Sequence, residues 1–315
     1  MGMTILAPGP LTTVQDLGRT GWLAAGFCPS GAMDIPAARL ANALAGNPPQ
    51  AAVLEMTFSG LSARFTADCR FALTGADMGF TLSGAPVTAY TALAARAGDE
   101  LRGGAASTGC RTYLAVSGGV DVPPVMGSRA THIKCGIGGF LGRALRAGDV
   151  LSFGVPQTPV PAPGTHLQAP PPPGGCLRVR VTLGPQWRAF DKRARAAFLS
   201  AVYTVSPQSD RMGMRLEGPV MPSIRGTDIV SDAIPIGAIQ VPASGQPIIL
   251  LADRQTVGGY AKPWVVIGPD IPLLAQARPG DALRFALVSP RQAARAARRG
   301  ARALDQAIAL VFLRA

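Results

Sequence analysis

The chain has few acidic residues, few lysines, few aromatic side chains and only two histidines among its 315 residues. Charged residues make up 15% of the chain and aromatic residues 6%, while apolar residues reach 48%. A disordered chain needs low hydrophobicity and high charge density, so this composition indicates a folded protein with a sizeable core. The sequence contains no long uninterrupted apolar run, so it predicts neither a transmembrane helix nor a membrane partner.

Cysteine motifs are also missing. The five cysteines lie far apart and include no C-x-x-C pair, which excludes a zinc ribbon and a thioredoxin-like site. Their odd number does not suit a disulfide framework, and two distant histidines without an acidic cluster do not predict a metal site. The N-terminal residues lack the basic and apolar regions of a signal peptide. We therefore expect a cytoplasmic protein without a bound metal.

The usual nucleotide-binding motifs do not occur either. No G-x-x-x-x-G-K-[ST] segment is found, and the Gly136-Ile137-Gly138 segment is followed by Leu141 where G-x-G-x-x-G needs glycine. The Ser117-Gly118-Gly119 segment lacks the leading glycine of a nucleophile elbow. These absences disfavour P-loop and Rossmann enzymes and serine hydrolases of the elbow type.

The net charge is +12, from 30 basic and 18 acidic residues. Only three of the basic residues are lysine, and residues 291–315 hold six arginines against Asp305, so this segment alone supplies +5. The remaining excess is spread over 290 residues and lacks the basic runs interleaved with aromatics that follow a phosphate backbone. We expect no nucleic-acid partner.

Glycine and proline are abundant, with 38 and 29 residues. They separate short apolar segments without a G-X-Y period, which is typical of a turn-rich, mainly β protein with a few short helices. The segments that predict strands are 52–58, 69–73, 112–116, 177–183, 238–241 and 247–251. The segments that predict helices are 36–44 after an Asp34 N-cap, 185–200, and 291–313 in the tail.

A proline-rich segment divides the chain. Eight of the 18 residues at 156–173 are proline, for which polyproline II geometry is the natural state. We interpret this segment as a linker or a long surface loop. The resulting organisation is an N-terminal domain at 1–155, a linker at 156–175, a C-terminal domain at 176–290 and a basic helix or tail at 291–315.

An R-x-G-D-x-L pattern occurs three times, at 96–101, 146–151 and 278–283. The Gly-Asp pair suits a tight turn with positive φ, and the residues after it alternate as in a strand. Similar closing hairpins in two β-barrel-like units would explain the repeat. Chance recurrence of Gly-Asp turns in a glycine-rich β protein is the alternative.

Five polar clusters stand beside glycine or proline, where loops carried by strands commonly hold binding residues. Asp210-Arg211 and Asp253-Arg254 each join a carboxylate to a guanidinium that can hold a carboxylate or phosphate through two hydrogen bonds. For each pair, a surface salt link or a turn cap is the alternative. The other polar candidates are Ser30, Met33, Asp34, Asp77, Ser209, Gln240, Gln255 and Tyr260. His132 and Lys134 are further candidates, although a lone histidine is more often structural.

Four ordered blocks are specific enough to indicate a family: GPLTTVQDLGR at 9–19, SGAMD at 30–34, SDRMG at 209–213 with the residues up to Gly218, and the segment 237–260. In these blocks the chain resembles the KipA-like biotin-dependent carboxyltransferase family. That family includes the C subunit of bacterial ATP-dependent 5-oxoprolinase, and the carboxyltransferase part of urea carboxylase is similar. The resemblance implies two cyclophilin-like β-barrel domains. The chain departs from the family at Asp232, where glutamate is usual, and at Lys262-Pro263-Trp264.

The resemblance implies one of two reactions. One is the hydrolysis of 5-oxo-L-proline with ATP and water to L-glutamate, ADP and phosphate, and the other is carboxyl transfer from carboxybiotin to urea or another amide. Both need a cationic clamp, a base and neutral donors. In either reaction, Arg211 and Arg254 would be clamps, Asp210 and Asp253 bases or orienting groups, and Gln240 and Gln255 donors. ATP or carboxybiotin would be a co-substrate, with no tightly bound cofactor.

The chain has neither a biotin-attachment motif nor an ATP-grasp segment, so the resemblance also implies partners. These are a KipI-like B subunit, and, for an oxoprolinase, a LamB/YcsF-like A subunit. We favour an amidohydrolase subunit of the 5-oxoprolinase type. The alternatives are a biotin-dependent carboxyltransferase and a non-catalytic KipA-type regulator that binds a KipI-like partner.

Overall fold

The computed structural model describes residues 1–156, 159–171 and 174–313. The protein is mainly β with few helices, as the sequence predicts. The described chain divides into two compact units. The first holds residues 1–19, 30–156, 159–171 and 302–313, and the second holds residues 20–29 and 174–301. Positions 157, 158, 172 and 173 of the proline-rich segment and positions 314 and 315 of the tail lie outside the described residues.

The first unit is built from two antiparallel sheets. Its strands are β1 (Gly2–Ala7), β2 (Leu11–Gln15), β3 (Val53–Thr57), β4 (Ser62–Phe65), β5 (Cys69–Asp77), β6 (Thr81–Leu82), β7 (Ala85–Pro86), β8 (Leu93–Ala95), β9 (Glu100–Arg102), β10 (Thr108–Val116), β11 (Val120–Asp121) and β12 (Val150–Phe153). Within the described chain, one sheet has the order β11-β12-β1-β4-β9-β6-β7 and the other β2-β3-β10-β5-β8.

Alternating apolar side chains from both sheets form the core of this unit, where Phe65 and Phe71 lie 5.3 Å apart between ring centroids. Helix α1 (Ile35–Leu44) packs against the second sheet through its alanines. It begins where the sequence predicts, because the Asp34 carboxylate accepts a hydrogen bond from the Ala37 N–H at 3.0 Å and Pro36 occupies the first turn.

The R-x-G-D-x-L pattern forms the same turn at all three places. Gly98, Gly148 and Gly280 have φ of 94°, 88° and 91°. At each turn the aspartate carboxylate accepts from the N–H of the arginine three residues earlier, at 2.7–2.8 Å. The predicted turns are therefore confirmed, and β9, β12 and a strand of the second unit follow them.

The prediction that these turns close hairpins is wrong. The first turn leads from β8, in one sheet, to β9, in the other. The second turn stands at the end of the long connection from β11 to β12, so although these two strands pair, the turn does not join them directly. The third turn follows a helix. The turn is fixed locally by a positive φ and a carboxylate, and neither determines which strands pair.

The second unit contains the strands β13 (Cys176–Leu183), β14 (Tyr203–Val205), β15 (Gly213–Glu217), β16 (Asp228–Ala233), β17 (Ala238–Val241), β18 (Ile248–Leu250), β19 (Val257–Val266) and β20 (Ala282–Leu287). Their order is β13-β20-β14-β15-β18-β17-β19-β16. Because β13 also pairs antiparallel with β19, the sheet closes on itself and β16 extends it beside β19.

Aromatic side chains fill the core of the second unit. Phe198 stacks on Trp264 at 5.4 Å and on Phe285 at 4.5 Å between ring centroids. Phe198 belongs to helix α2 (Lys192–Ser200), and helix α3 (Ile271–Ala275) precedes β20. The helix predicted at 185–200 begins later than expected because Asp191 caps it, accepting from the Ala194 N–H at 2.7 Å.

The tail forms helix α4 (Pro290–Leu313), which confirms the helix predicted there. The exposed residues Arg291, Arg295, Arg298 and Arg302 recur every three or four positions, so they lie on one face. Val311 is fully buried in an apolar cluster of the first unit. No helix of the described ranges combines the length and apolar character that a bilayer crossing demands.

The described part of the proline-rich segment packs on the first unit and is not extended away from it. Val160 and Pro161 lie against Gly46, the Ala92 N–H donates to the Thr165 carbonyl at 2.8 Å, and Leu167 joins an apolar cluster. Nothing in the sequence indicates that residues 20–29 belong to the second unit. Their membership depends on tertiary contacts, which composition does not report.

Candidate functional site

A bulge in β19 of the second unit places a lysine in the interior. Two steps along β17, from Ile239 to Val241, match three steps along β19, from Trp264 to Ala261. The extra residue falls at Lys262-Pro263, opposite Gln240. A bulge accommodates proline, which has no N–H for the ladder, and bulges commonly redirect side chains beside active sites.

Lys262 is held by a small polar network. Its backbone N–H donates to the Gln186 Oε1 at 3.0 Å instead of to a strand carbonyl. Its side chain is 1% exposed, and its Nζ lies 3.5 Å from the Asp232 Oδ2, which also accepts from the Gln186 Nε2 at 3.5 Å. The hydrogen bond from the Ala233 N–H is the largest cause that lowers the Asp232 pKa, and the positive charge of Lys262 is the next. Asp232 is half exposed, so this network runs from the surface to a buried ammonium.

Gln240 lies beside the same network. The side chain is 7% exposed, and a Cβ on Gly258 would lie 2.9 Å from its Nε2. Gly258 is the cross-strand partner of Asp232, so the Gln240 amide and Asp232 both lie next to this glycine. Lys262, Gln240 and Asp232 therefore form one polar cluster around Gly258, which we call the Gly258 cluster.

Arg211 and Asp253, predicted as clamp and base, are bound to each other. Arg211 donates from Nε to Asp253 Oδ2 at 2.8 Å and from Nη2 to Asp253 Oδ1 at 3.1 Å. The side chains are 6% and 8% exposed. This buried, bidentate pair ties the turn at 206–213 to the loop at 252–256. The catalytic roles predicted for the two residues stay predictions.

Arg254 points its guanidinium at main-chain carbonyls. Its Nε donates to the Ile234 carbonyl at 2.9 Å, and its Nη1 donates to the Leu251 carbonyl at 3.3 Å. Burial lowers its pKa, and the nearby Cys28 opposes that shift. Ile234 also lies next to Gly258, because a Cβ on that glycine would be 2.7 Å from the Ile234 Cδ1. Ile234 therefore stands between Arg254 and the Gly258 cluster.

The other residues predicted in this unit serve turns or lie at the surface. The Asp210 carboxylate accepts from the Met212 and Gly213 N–H groups at 2.8 and 3.0 Å. The Ser209 Oγ accepts from the Arg215 N–H at 3.1 Å. Gln255 and Tyr260 are exposed. Tyr260 lies on β19, the strand that carries Lys262, and pairs with Asp228 of β16.

In the first unit, Ser30, Met33 and Asp34 lie in a loop anchored by buried polar side chains. The Met33 N–H donates to the Glu55 Oε2 at 2.8 Å, and the Asp34 N–H donates to the Tyr113 hydroxyl at 2.7 Å. That hydroxyl donates to the Glu55 Oε2 at 2.7 Å. Burial, followed by the charges of Glu55 and Asp34, raises the Tyr113 pKa well above its ordinary value. Ser30 is buried with a φ of 54°.

In the first unit, Asp77 lies on β5, whereas His132 and Lys134 share a short 3₁₀ turn. Asp77 is exposed and accepts from the Gly79 N–H at 3.0 Å and the Ser107 hydroxyl at 2.9 Å. The His132 Nδ1 accepts from the Cys135 N–H at 3.1 Å and caps a short 3₁₀ turn. Lys134 is exposed in that turn.

The structure thus adds Lys262, Asp232 and Gln186 to the sequence candidates and brings the first two together with Gln240. Two signals in the sequence could have indicated Lys262. It is one of only three lysines in the chain, and the proline after it, inside an apolar strand, marks a bulge. Asp232 and Gln186 carry no comparable local signal, because only strand pairing brings them to the lysine.

The chain is similar to known proteins over almost its whole length. The family model of the carboxyltransferase domain, subdomain A and B, matches residues 25–287. A protein named as the C subunit of 5-oxoprolinase in Escherichia coli (strain K12) is 39% identical over 295 residues, 93% of this chain and 94% of that protein. Its namesake in Haemophilus influenzae is 37% identical over 302 residues, with the same coverage.

A solved structure agrees with these sequence matches. The crystal structure of the K. lactis urea amidolyase matches with a TM-score of 0.90 and 31% identity, covering 97% of this chain and 20% of that chain. This chain therefore spans about a fifth of the amidolyase. The family model matches more than half of the chain and confirms the resemblance. The chain therefore belongs to the carboxyltransferase domain family, subdomains A and B.

Proposed function

We propose that the chain is the C subunit of an ATP-dependent 5-oxoprolinase, which opens the lactam of 5-oxo-L-proline to give L-glutamate. The observation that carries this proposal is the similarity to two proteins named as that subunit, each covered over 94% of its length. A name of this kind implies an assembly of several different chains. The partners in this proposal are a KipI-like protein, which is the B subunit, and a LamB/YcsF-like protein, which is the A subunit. The assembly works in the cytoplasm.

The chemistry of the Gly258 cluster supports this function. Opening a lactam with ATP creates anionic intermediates and needs cationic groups and neutral donors around the reacting amide. Lys262 supplies positive charge, Gln240 supplies an amide, and Asp232 supplies a carboxylate beside the ammonium. ATP is a co-substrate in this proposal, with no cofactor tightly bound, and each of the two units is a cyclophilin-like barrel.

The test is reconstitution. The chain is co-expressed with the KipI-like and LamB/YcsF-like partners, and glutamate and ADP formation from 5-oxoproline and ATP are measured. We expect turnover only when all three chains are present, and its loss in Lys262→Met. Lys192→Met is the matched control, because Lys192 is exposed on α2. A three-chain complex that assembles but forms no glutamate would contradict the proposal and would favour a regulator that binds a KipI-like partner.

A second function is favoured by the family model and by the match to urea amidolyase. It is carboxyl transfer from carboxybiotin to urea or another amide. Incubation of the chain with carboxybiotin and urea, followed by mass spectrometry of the amide product, tests it. Transfer without ATP would establish this function in place of the first, whereas no transfer across a panel of amides would exclude it.

A further inference from the structure

The Gly258 cluster holds buried donors that lack acceptors within the described chain. The Lys262 Nζ makes its one ion contact at 3.5 Å with Asp232 and forms no hydrogen bond to any described residue. The Gln240 Nε2 likewise has no hydrogen-bond partner among the described residues. Lys262 is 0% exposed and Gln240 is 7% exposed. An ammonium and an amide at this depth normally have their N–H groups satisfied, so two such donors around one glycine point to a ligand.

Gly258 lets the Gln240 amide pack directly against the backbone of β19, because residue 258 has no side chain. A Cβ there would lie 2.9 Å from the Gln240 Nε2 and 2.7 Å from the Ile234 Cδ1, closer than van der Waals contact allows. The cluster lies close to the surface, since Tyr260 on the same strand is 43% exposed and the Asp232 side chain is 49% exposed.

The local charge selects an anion. Lys262 contributes a buried positive charge, and Asp232 contributes one negative charge. Asp232 is 49% exposed, so water screens its carboxylate, whereas Lys262 is shielded from water by protein. The ammonium offers up to three donors and the Gln240 amide offers two, and a carboxylate can accept from both groups.

We propose that the Gly258 cluster is a carboxylate subsite, in which Lys262 and Gln240 bind the carboxylate of a small amide-bearing ligand. This inference rests on the proposed function, because 5-oxoproline carries a carboxylate next to its lactam. The N-carboxylate of carboxybiotin presents the same chemistry from a second source. Lys262 neutralises the carboxylate, Gln240 fixes its plane, and Gly258 lets the Gln240 amide lie against the strand.

Binding to the isolated full-length chain tests the subsite without partners or ATP. Isothermal titration compares 5-oxo-L-proline with its neutral analogue 5-oxo-L-prolinamide. It also compares the methyl ester of carboxybiotin with biotin methyl ester, in both of which the valeryl carboxylate is masked. We expect each carboxylate to bind at least tenfold more tightly than its neutral analogue if it is the true source. Equal binding within each pair, or no binding of either carboxylate, would overturn the proposal. The pair that shows the difference identifies the source.

Two variants separate the subsite from the fold. Gln240→Glu has the same size as the parent side chain but adds a negative charge beside Gly258, so it should lose carboxylate binding at least tenfold while the melting temperature is kept. Lys262→Met should lose it as well, and Lys192→Met should bind like the parent. Carboxylate binding by Gln240→Glu within twofold of the parent would overturn the proposal. Because ATP is absent, failure of glutamate formation in the three-chain complex would leave this result unaffected.

Discussion

Replacing Asp253 by asparagine tests whether the buried Arg211–Asp253 pair holds two loops together. The substitution keeps the size of the side chain and removes its charge, so the Arg211 guanidinium, at 6% exposure, loses the Asp253 carboxylate. Removing one partner of a buried ion pair costs about 3–5 kcal/mol. For a unit of this size, that loss lowers the melting temperature by about 6–20 °C.

Differential scanning calorimetry of the parent, Asp253→Asn, Arg211→Met and the double variant measures the effect. We expect the double variant to lose less than the sum of the single losses, because removing both charges removes the desolvation penalty as well. Glu100→Gln is the control. Glu100 pairs with the exposed Arg64 and Arg102, so water screens these pairs and the melting temperature should stay close to that of the parent.

Two results would refute this reasoning. An Asp253→Asn protein that unfolds within about 0.5 kcal/mol of the parent, yet loses activity in the reconstituted complex, would show that the pair acts in the reaction and not in the fold. Additive single losses in the double variant would also contradict the argument, because contact at 2.8 and 3.1 Å requires coupling.

Three further predictions concern the first unit. Tyr113→Phe should lower the free energy of unfolding by about 1–3 kcal/mol, because Glu55 loses a donor and the Asp34 N–H loses its acceptor, and a urea midpoint unchanged from the parent would contradict this. Asp34→Ala should lower the free energy of unfolding by about 1 kcal/mol, because α1 loses its N-cap. Hydrogen exchange in the first turn of α1 should become faster, and equal exchange rates in the two proteins would argue against the cap. The hydrogen bonds from Arg143, and then the one from the Arg146 N–H, lower the pKa of Asp149 below 3.8. The ionised Asp149 therefore stabilises the fold above pH 3.8, and this stabilisation disappears as the pH falls through the lowered pKa. Asp149→Asn should therefore be about 0–1 kcal/mol less stable at pH 7 and equal to the parent under strong acid, and a difference that persists in acid would contradict the linkage.

The sequence predicted local structure well where one residue fixes the geometry. Asp34 and Pro36 set the start of α1, and the glycine and aspartate of each repeated turn set its conformation. The strands at 53–57 and 238–241 followed from apolar segments bounded by turn residues. The pairing of strands did not follow, because the order of the sheets depends on contacts between residues far apart in the chain.

The candidate site was predicted only in part, for a related reason. Strand β19 contains Gly258, Gly259 and Pro263, which local rules count against a strand interior. Strand β16 is mostly exposed, and its apolar residues Ile229 and Val230 are adjacent, so it has no apolar alternation to indicate it. The Gly258 cluster thus forms where local signals are weakest. The sequence predicted two pairs of adjacent residues, Asp210-Arg211 and Asp253-Arg254. In the structure, Arg211 instead pairs with Asp253, which lies 42 positions further along the chain.

The membership of residues 302–313 in the first unit has a consequence for folding during synthesis. Val311 is fully buried with Ala43 and Leu44, so the first unit cannot complete its core until a segment about 270 positions further along the chain has been made. Domains generally fold in order from the N-terminus as they emerge from the ribosome. In this chain, the first unit must wait for residues that are translated after the whole of the second. Ala43 and Leu44 at the end of α1 therefore lack this apolar cover throughout elongation.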